Sequence, residues 1–299
     1  MFYQQPIYRP PSEANSLLLQ CSIGCSYKCS FCAMYRTKKF SIRSLKDIKV
    51  DLIESARDYG NKIRKIFLLD GNAFLMHPRM IVEICKMAHE LHPNLQRVGC
   101  YGHTGDILRR SDQELLQIRQ AGLRIVYLGV ETGDDELLDK INKEASSEEI
   151  ARASQKLHKA GITLSATILL GLAGSEPELS EKHARKTAEL INRMKPFTRI
   201  PWYVSALSYI PVPNTEKYEE ARSGEFIPPE PPLLLSELGI FFDRLDDDLN
   251  GCIFRSNHAS NYLPLHSNDL GRDRLKLAAI VKNAISSPAM LRPEWMRGL

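Results

Sequence analysis

Four of the seven cysteines in this 299-residue chain fall between positions 21 and 32, and three of them, Cys25, Cys29 and Cys32, follow the spacing C-x3-C-x2-C. The opening residues, Met1-Phe2-Tyr3-Gln4-Gln5-Pro6, have neither the basic nor the apolar region of a secretory leader. Without an oxidising destination, clustered cysteines point to metal ligation rather than to a disulfide framework. An iron–sulfur cube normally takes four cysteines. Three from one tight loop leave one iron without a protein ligand and open to another molecule. Zinc is the competing metal, but a zinc ribbon wants a second pair of Cys or His at a distance. Cys85 and Cys100 fall on a predicted helix and strand and make no such pair. Cys21 lies inside the preceding predicted strand and reads as a small core residue, with competition for the metal as its alternative.

The loop Cys25-Ser26-Tyr27-Lys28-Cys29-Ser30-Phe31-Cys32, with an aromatic residue before its last cysteine, resembles the signature of the radical S-adenosylmethionine (radical SAM) superfamily. The resemblance implies a 4Fe-4S cluster on Cys25, Cys29 and Cys32, with S-adenosyl-L-methionine chelated at the open iron. It also implies reductive cleavage of that cofactor to a 5′-deoxyadenosyl radical, which abstracts hydrogen from substrate. It covers roughly residues 16–220 and implies cofactor contacts from Phe31 and from the turn Leu69-Asp70-Gly71-Asn72-Ala73. There Gly71 permits close backbone approach and Asn72 takes the place of a polar ligand, a plain strand-ending turn being the other reading.

Gly129-Val130-Glu131-Thr132-Gly133, followed by Ile141-Asn142-Lys143, resembles the coproporphyrinogen dehydrogenase and methylthiotransferase branches. By that resemblance Glu131 meets polar groups of S-adenosylmethionine, and Lys143 pairs with its carboxylate in a charge-assisted hydrogen bond. Surface positions are the bland alternative for both. Thr167 and Leu169 match positions that touch ribose and adenine, and strand alternation aims both at one face; core packing explains them equally well.

Candidates for the substrate side are fewer. Cys100 and Tyr101 end a predicted strand near where substrate would lie. A thiol facing that space could return a hydrogen atom to a substrate radical, although buried cysteines are more often inert. In the polar segment 254–265, Arg255 suits an anionic group, Asn257 a hydrogen bond, and His258 a proton transfer or hydrogen bond. A self-satisfied loop of Asn and Ser turns fits the same residues.

These residues need elements to carry them. Apolar, β-leaning runs recur at 16–21, 63–69, 97–101, 124–130, 162–170 and 199–209, with amphipathic helical stretches between them. Ser111–Glu114 and Ser146–Glu149 read as capping boxes that start two of those helices. The alternation predicts an α/β fold, and the resemblance specifies it as a partial (β/α)6 barrel of parallel strands with ligands at their carboxyl ends. Prolines at 211, 213, 228, 229, 231 and 232 then break the pattern. The expected organisation is an N-terminal extension at 1–15, a core at 16–224 and a mainly helical C-terminal cap at 225–299, with helices near 233–249 and 270–286.

Composition is ordinary and globular, with 43% hydrophobic and 25% charged residues and a formal net charge of +4. The longest apolar stretch is too short and too polar to span a bilayer, so no membrane is expected and a cytoplasmic location is. Beyond residue 100 only Cys252 remains, so an auxiliary cluster has no ligand set. The leading expectation is an oxidoreductase-like radical SAM enzyme for a small-molecule substrate, with flavodoxin or ferredoxin as electron donor. Two alternatives stay open. One is an RNA-modifying enzyme, for which Arg36, Lys38, Lys39 and Arg43 would begin a basic patch; the other is a non-catalytic iron–sulfur or zinc module.

Overall fold

The computed structural model describes residues 1–197 and 200–297, in two compact units. The first comprises Met1–Lys28, Met34–Leu128 and Lys156–Leu164; the second comprises Cys29–Ala33, Gly129–Gln155 and the chain from Ser165 onward. Arg199, expected to open the sixth strand, and residues 298–299 of the expected cap lie outside the described residues.

In the first unit the strands are β1 (Leu17–Gln20), β2 (Ser22–Ile23), β3 (Ser41–Ile42), β4 (Lys65–Leu69), β5 (Arg97–Gly102) and most of β6 (Leu123–Glu131), whose last three residues belong to the second unit. Strands β1, β4, β5 and β6 pair in parallel, in that order, with Leu19 opposite Leu68, Phe67 opposite Gly99 and Tyr101 opposite Tyr127. Their near-continuous apolar runs are buried, as strands covered on both faces require. The little antiparallel ladder of β2 and β3 brackets the cysteine loop. Helices Leu45–Tyr59, Pro78–Leu91 and Asp112–Ala121 make the crossovers. Ser44 caps the first, Pro78 opens the second where no amide hydrogen is needed, and Ser111 with Glu114 forms the expected capping box on the third.

In the second unit β7 (Thr163–Leu170), β8 (Trp202–Ser208) and β9 (Cys252–Arg255) run parallel, and β10 (His266–Ser267) pairs antiparallel with β9. Each of the six expected strands therefore forms. Strand β9 runs into the polar segment at 254–265 and was not among the expected strands. It is short, and only Cys252 and Phe254 alternate inward, too little periodicity to stand out in the sequence. Pro231 and Pro232, expected to interrupt structure, instead occupy the first turn of helix Pro231–Asp243, where a missing N–H does no harm. That helix packs against Leu270–Ser286 and Pro177–Met194, so the C-terminal part is mainly helical.

Candidate functional site

At the carboxyl end of β4 the chain turns through Asp70, Gly71 and Asn72, three buried or nearly buried residues. The Asp70 carboxylate accepts hydrogen bonds from the Gly24 amide at 2.9 Å, from Gln20 Nε2 at 3.0–3.1 Å and from Lys38 Nζ at 2.9 Å. The Gly71 amide donates to the Gly24 carbonyl at 3.2 Å. A Cβ on Gly71 would sit 2.7 Å from the Tyr35 ring and 3.1 Å from Cys25 Cβ, so only glycine fits beside the first loop cysteine. Asn72 Nδ2 donates to Ser26 Oγ at 3.0 Å and to Asp106 Oδ2 at 2.5 Å. Because a carboxylate only accepts, this fixes the amide orientation, and Asn72 Oδ1 is left as a buried acceptor with no partner among the described residues. Tyr27, within the loop, stacks on His103 with centroids 3.5 Å apart.

The second unit gathers another group. Lys143 Nζ stands 2.9 Å from Glu131 Oε1, and both side chains are buried. Burial by itself would lower the lysine pKa; the nearby Glu131 carboxylate and the Cys29 and Cys32 sulfurs outweigh it, so the ammonium is held above its ordinary value. Glu131 adopts φ of 64°, a left-handed conformation that bends the chain at the end of β6. The alternative of ordinary surface positions does not hold for this pair. Ser30 donates its amide to Ile141 O at 2.9 Å and accepts from the Lys217 amide at 3.1 Å, which fastens the loop to the segment carrying Lys143.

Phe31 packs against a cluster of Leu137, Ile141, Leu169, Leu172, Tyr209 and Phe226, its ring edge-on to Tyr209. Leu169 thus joins Phe31, whereas Thr167 is half-buried on the same strand. Beneath this cluster His183 Nδ1 meets Thr132 Oγ1 at 2.7 Å and its Nε2 lies 2.9 Å from Leu169 O and 3.2 Å from Glu237 Oε1. Glu237 also accepts from the Gly171 amide and Ser180 Oγ. This sealed network ties the Glu131 turn to the end of β7. Nothing in the sequence marked His183, Glu237 or Tyr209. Asp70 did carry a signal, a charge closing an apolar strand, but its partners stand far off in the chain.

The remaining cysteines are elsewhere. Cys21, Cys85, Cys100 and Cys252 are all sealed, and burial pushes their thiols up, that of Cys85 to about 12. Cys100 does not face the space where Tyr101 points. Gly99 shares a face with Phe67 and Tyr101, which packs edge-on to Phe67 and Tyr127, while Cys100 lies on the opposite face, close to Cys85 of helix Pro78–Leu91. Strand alternation decides this: neighbours in a strand point to opposite sides.

The C-terminal candidates are also differently employed. Arg255 Nη1 donates to the Phe254 and Ser267 carbonyls and Nη2 to Asn268 Oδ1, so its guanidinium ties β9 to β10. His258 Nδ1 accepts from the Ser260 amide, and burial with Arg292 nearby lowers its pKa. Asn257 is exposed, while Asn261 bonds to Ser208, Ala206 and Ser256. The segment satisfies itself. Of the four residues that could begin a basic patch, Lys38 is buried against Asp70, and Arg43 pairs with Asp51 and the Gln20 carbonyl.

Of the seven cysteines, the three of the loop are part-exposed and the other four are buried. Fold and loop define a parallel α/β protein whose polar groups collect where strands end. The family model described as the radical SAM superfamily matches residues 19–187. This chain belongs to the radical SAM superfamily, enzymes that work with S-adenosylmethionine and a 4Fe-4S cluster.

Among relatives, an anaerobic magnesium-protoporphyrin IX monomethyl ester cyclase of Rubrivivax gelatinosus is 32% identical over 165 residues, covering 53% of this chain and 28% of that protein. The match thus spans less than a third of the relative's length. Coproporphyrinogen III oxidase (HemN) from Escherichia coli aligns at a TM-score of 0.51 and 18% identity, over 75% of this chain and 50% of that one. Elp3 from Methanocaldococcus infernus aligns at 0.53 and 15%, over 92% and 63%. At such identities these structures speak for the fold. Among the described residues no helix is long and apolar enough to cross a membrane.

Proposed function

We propose that this chain uses one 4Fe-4S cluster, held by Cys25, Cys29 and Cys32, to cleave S-adenosylmethionine and abstract hydrogen from a small-molecule substrate. The carrying observation is the contrast among cysteines: the three in the loop are part-exposed, and the other four are buried with raised thiol pKa values. When bound and reduced, a cluster on these cysteines would supply the electron for breaking the cofactor's C–S bond.

The chain's own groups do the placing. Asn72 Oδ1, a buried acceptor, suits the cofactor's amino group. Lys143, held charged by Glu131, suits its carboxylate. Phe31, Leu169 and Tyr209 offer an apolar wall for adenine, with Thr167 beside it for the ribose. Tyr101 lies on the face shared with Phe67, where substrate would meet the radical. A flavodoxin or ferredoxin serves as electron donor. Anaerobic reconstitution, then dithionite and S-adenosylmethionine, should release 5′-deoxyadenosine; its absence from a fully iron-loaded sample would refute the catalytic reading. Transfer of deuterium from a candidate metabolite into 5′-deoxyadenosine identifies the substrate.

A further inference from the structure

We propose that Asp70 and Lys38 form a clasp that pins together the entry and exit of the cysteine loop and so favours its loading with metal, which makes both positioning residues. This inference rests on the reading that the loop cysteines hold the cluster. Asp70 Oδ2 accepts from the Gly24 amide, one residue before Cys25, and from Lys38 Nζ, beyond Cys32, both at 2.9 Å. A single carboxylate therefore grips the loop where it leaves the β1 end and where it returns. Entry and exit also touch directly. Gly24 has φ of +76°, and a Cβ there would lie 3.2 Å from Lys38 Cβ and 3.3 Å from Lys38 O.

The clasp is braced from two further sides. Gln20 Nε2 donates to both Asp70 oxygens while its Oε1 accepts from the Gln4 amide, and the Gln4 carbonyl accepts from Lys38 Nζ at 2.5 Å. Asp70 is fully sealed and the Lys38 side chain nearly so.

A buried ion pair is a poor device for stability alone, because an apolar pair of similar volume commonly folds as well or better. What it offers is direction. Charge-assisted bonds fix angles and partners, so they fix a loop conformation. A loop whose thiols must converge on one object would otherwise be ordered at the expense of metal affinity.

The test compares wild type, Asp70→Asn and Asp70→Asn/Lys38→Met, the last removing both buried charges. Each is reconstituted anaerobically, its iron per chain is measured, its thermal midpoint is recorded, and the rate at which a strong iron chelator strips the cluster is followed by visible absorbance. Supporting groups behind metal ligands commonly change affinity by about 10–100-fold. The double variant should melt near wild type yet lose iron at least about tenfold faster. Hydrogen exchange of the metal-free protein across residues 24–38 should rise in the same variant. Wild-type iron retention in a double variant that melts normally would overturn the clasp. If either variant does not fold, Gln20→Met, which removes a donor to the same carboxylate without stranding a charge, is read on the same scales. Wild type that takes up no iron would instead refute the ligand reading on which the clasp rests.

Discussion

Lys143 Nζ and Glu131 Oε1, both buried, stand 2.9 Å apart and twelve positions apart in the chain. Glu131 is thus the internal counter-charge of a lysine that also feels the Cys29 and Cys32 sulfurs. Removing one partner strands the other. Glu131→Ala should lower the unfolding free energy by about 3–5 kcal/mol, the usual result of leaving a buried charge alone. Lys143→Met should weaken S-adenosylmethionine binding by roughly 10–100-fold, the worth of a hydrogen bond to a charged group. Urea titration and equilibrium dialysis on reconstituted protein measure the two.

The loop cysteines and the buried ones should separate cleanly. Alanine at Cys25, Cys29 or Cys32 should bring iron close to zero after reconstitution, while alanine at Cys21 or Cys100 leaves it near wild type. Cys100→Ala should also leave the uncoupled yield of 5′-deoxyadenosine unchanged, since the thiol faces Cys85. Iron analysis and chromatography decide the matter.

Gly71→Ala tests the space beside the first cysteine. Its methyl would sit 2.7 Å from the Tyr35 ring, and the ring has Tyr8 on its edge and so little room to yield. Overpacking of this kind destabilises by about 1–3 kcal/mol. A lowered thermal midpoint together with incomplete iron loading is the expected outcome.

The pair His183–Glu237 gives stability a pH dependence of definite sign. Burial alone lowers the imidazole pKa, but the Glu237 carboxylate and the Leu169 carbonyl more than compensate, and the net shift is upward from 6.5. A raised folded value means the contribution is fully present below 6.5 and is lost as pH climbs through that folded value. Urea midpoints taken from acid to alkaline pH should fall over that window in wild type, and the fall should shrink in Glu237→Gln.

Arg255→Ala should act on stability rather than on substrate. Two hydrogen bonds from its guanidinium join β9 to Ser267 of β10 and to Asn268, and a third returns to the Phe254 carbonyl. Their loss should cost about 1–3 kcal/mol, with no change in 5′-deoxyadenosine formed in the absence of substrate. Calorimetry alongside that assay distinguishes tie from recognition.

What the amino-acid sequence determined by itself was local or periodic. The spacing of Cys25, Cys29 and Cys32 lies within a short stretch of chain, and the six expected strands announce themselves as apolar runs bounded by helix caps such as Ser111–Glu114. Strand alternation could pair Thr167 with Leu169 on one face, but it could not say which face of β5 carries Cys100 inward. That depends on which neighbour each side meets, and the structure sets Phe67 against one and helix Pro78–Leu91 against the other.

Lys38 illustrates the same limit more sharply. In sequence it belongs to a run of basic residues that could coat a surface; in the fold it is buried on Asp70, 32 positions away. Glu237 likewise reaches Gly171 across 66 positions. Such partnerships have no period and no fixed spacing, because burial and pairing of a charge are decided by where the whole chain brings two distant segments together.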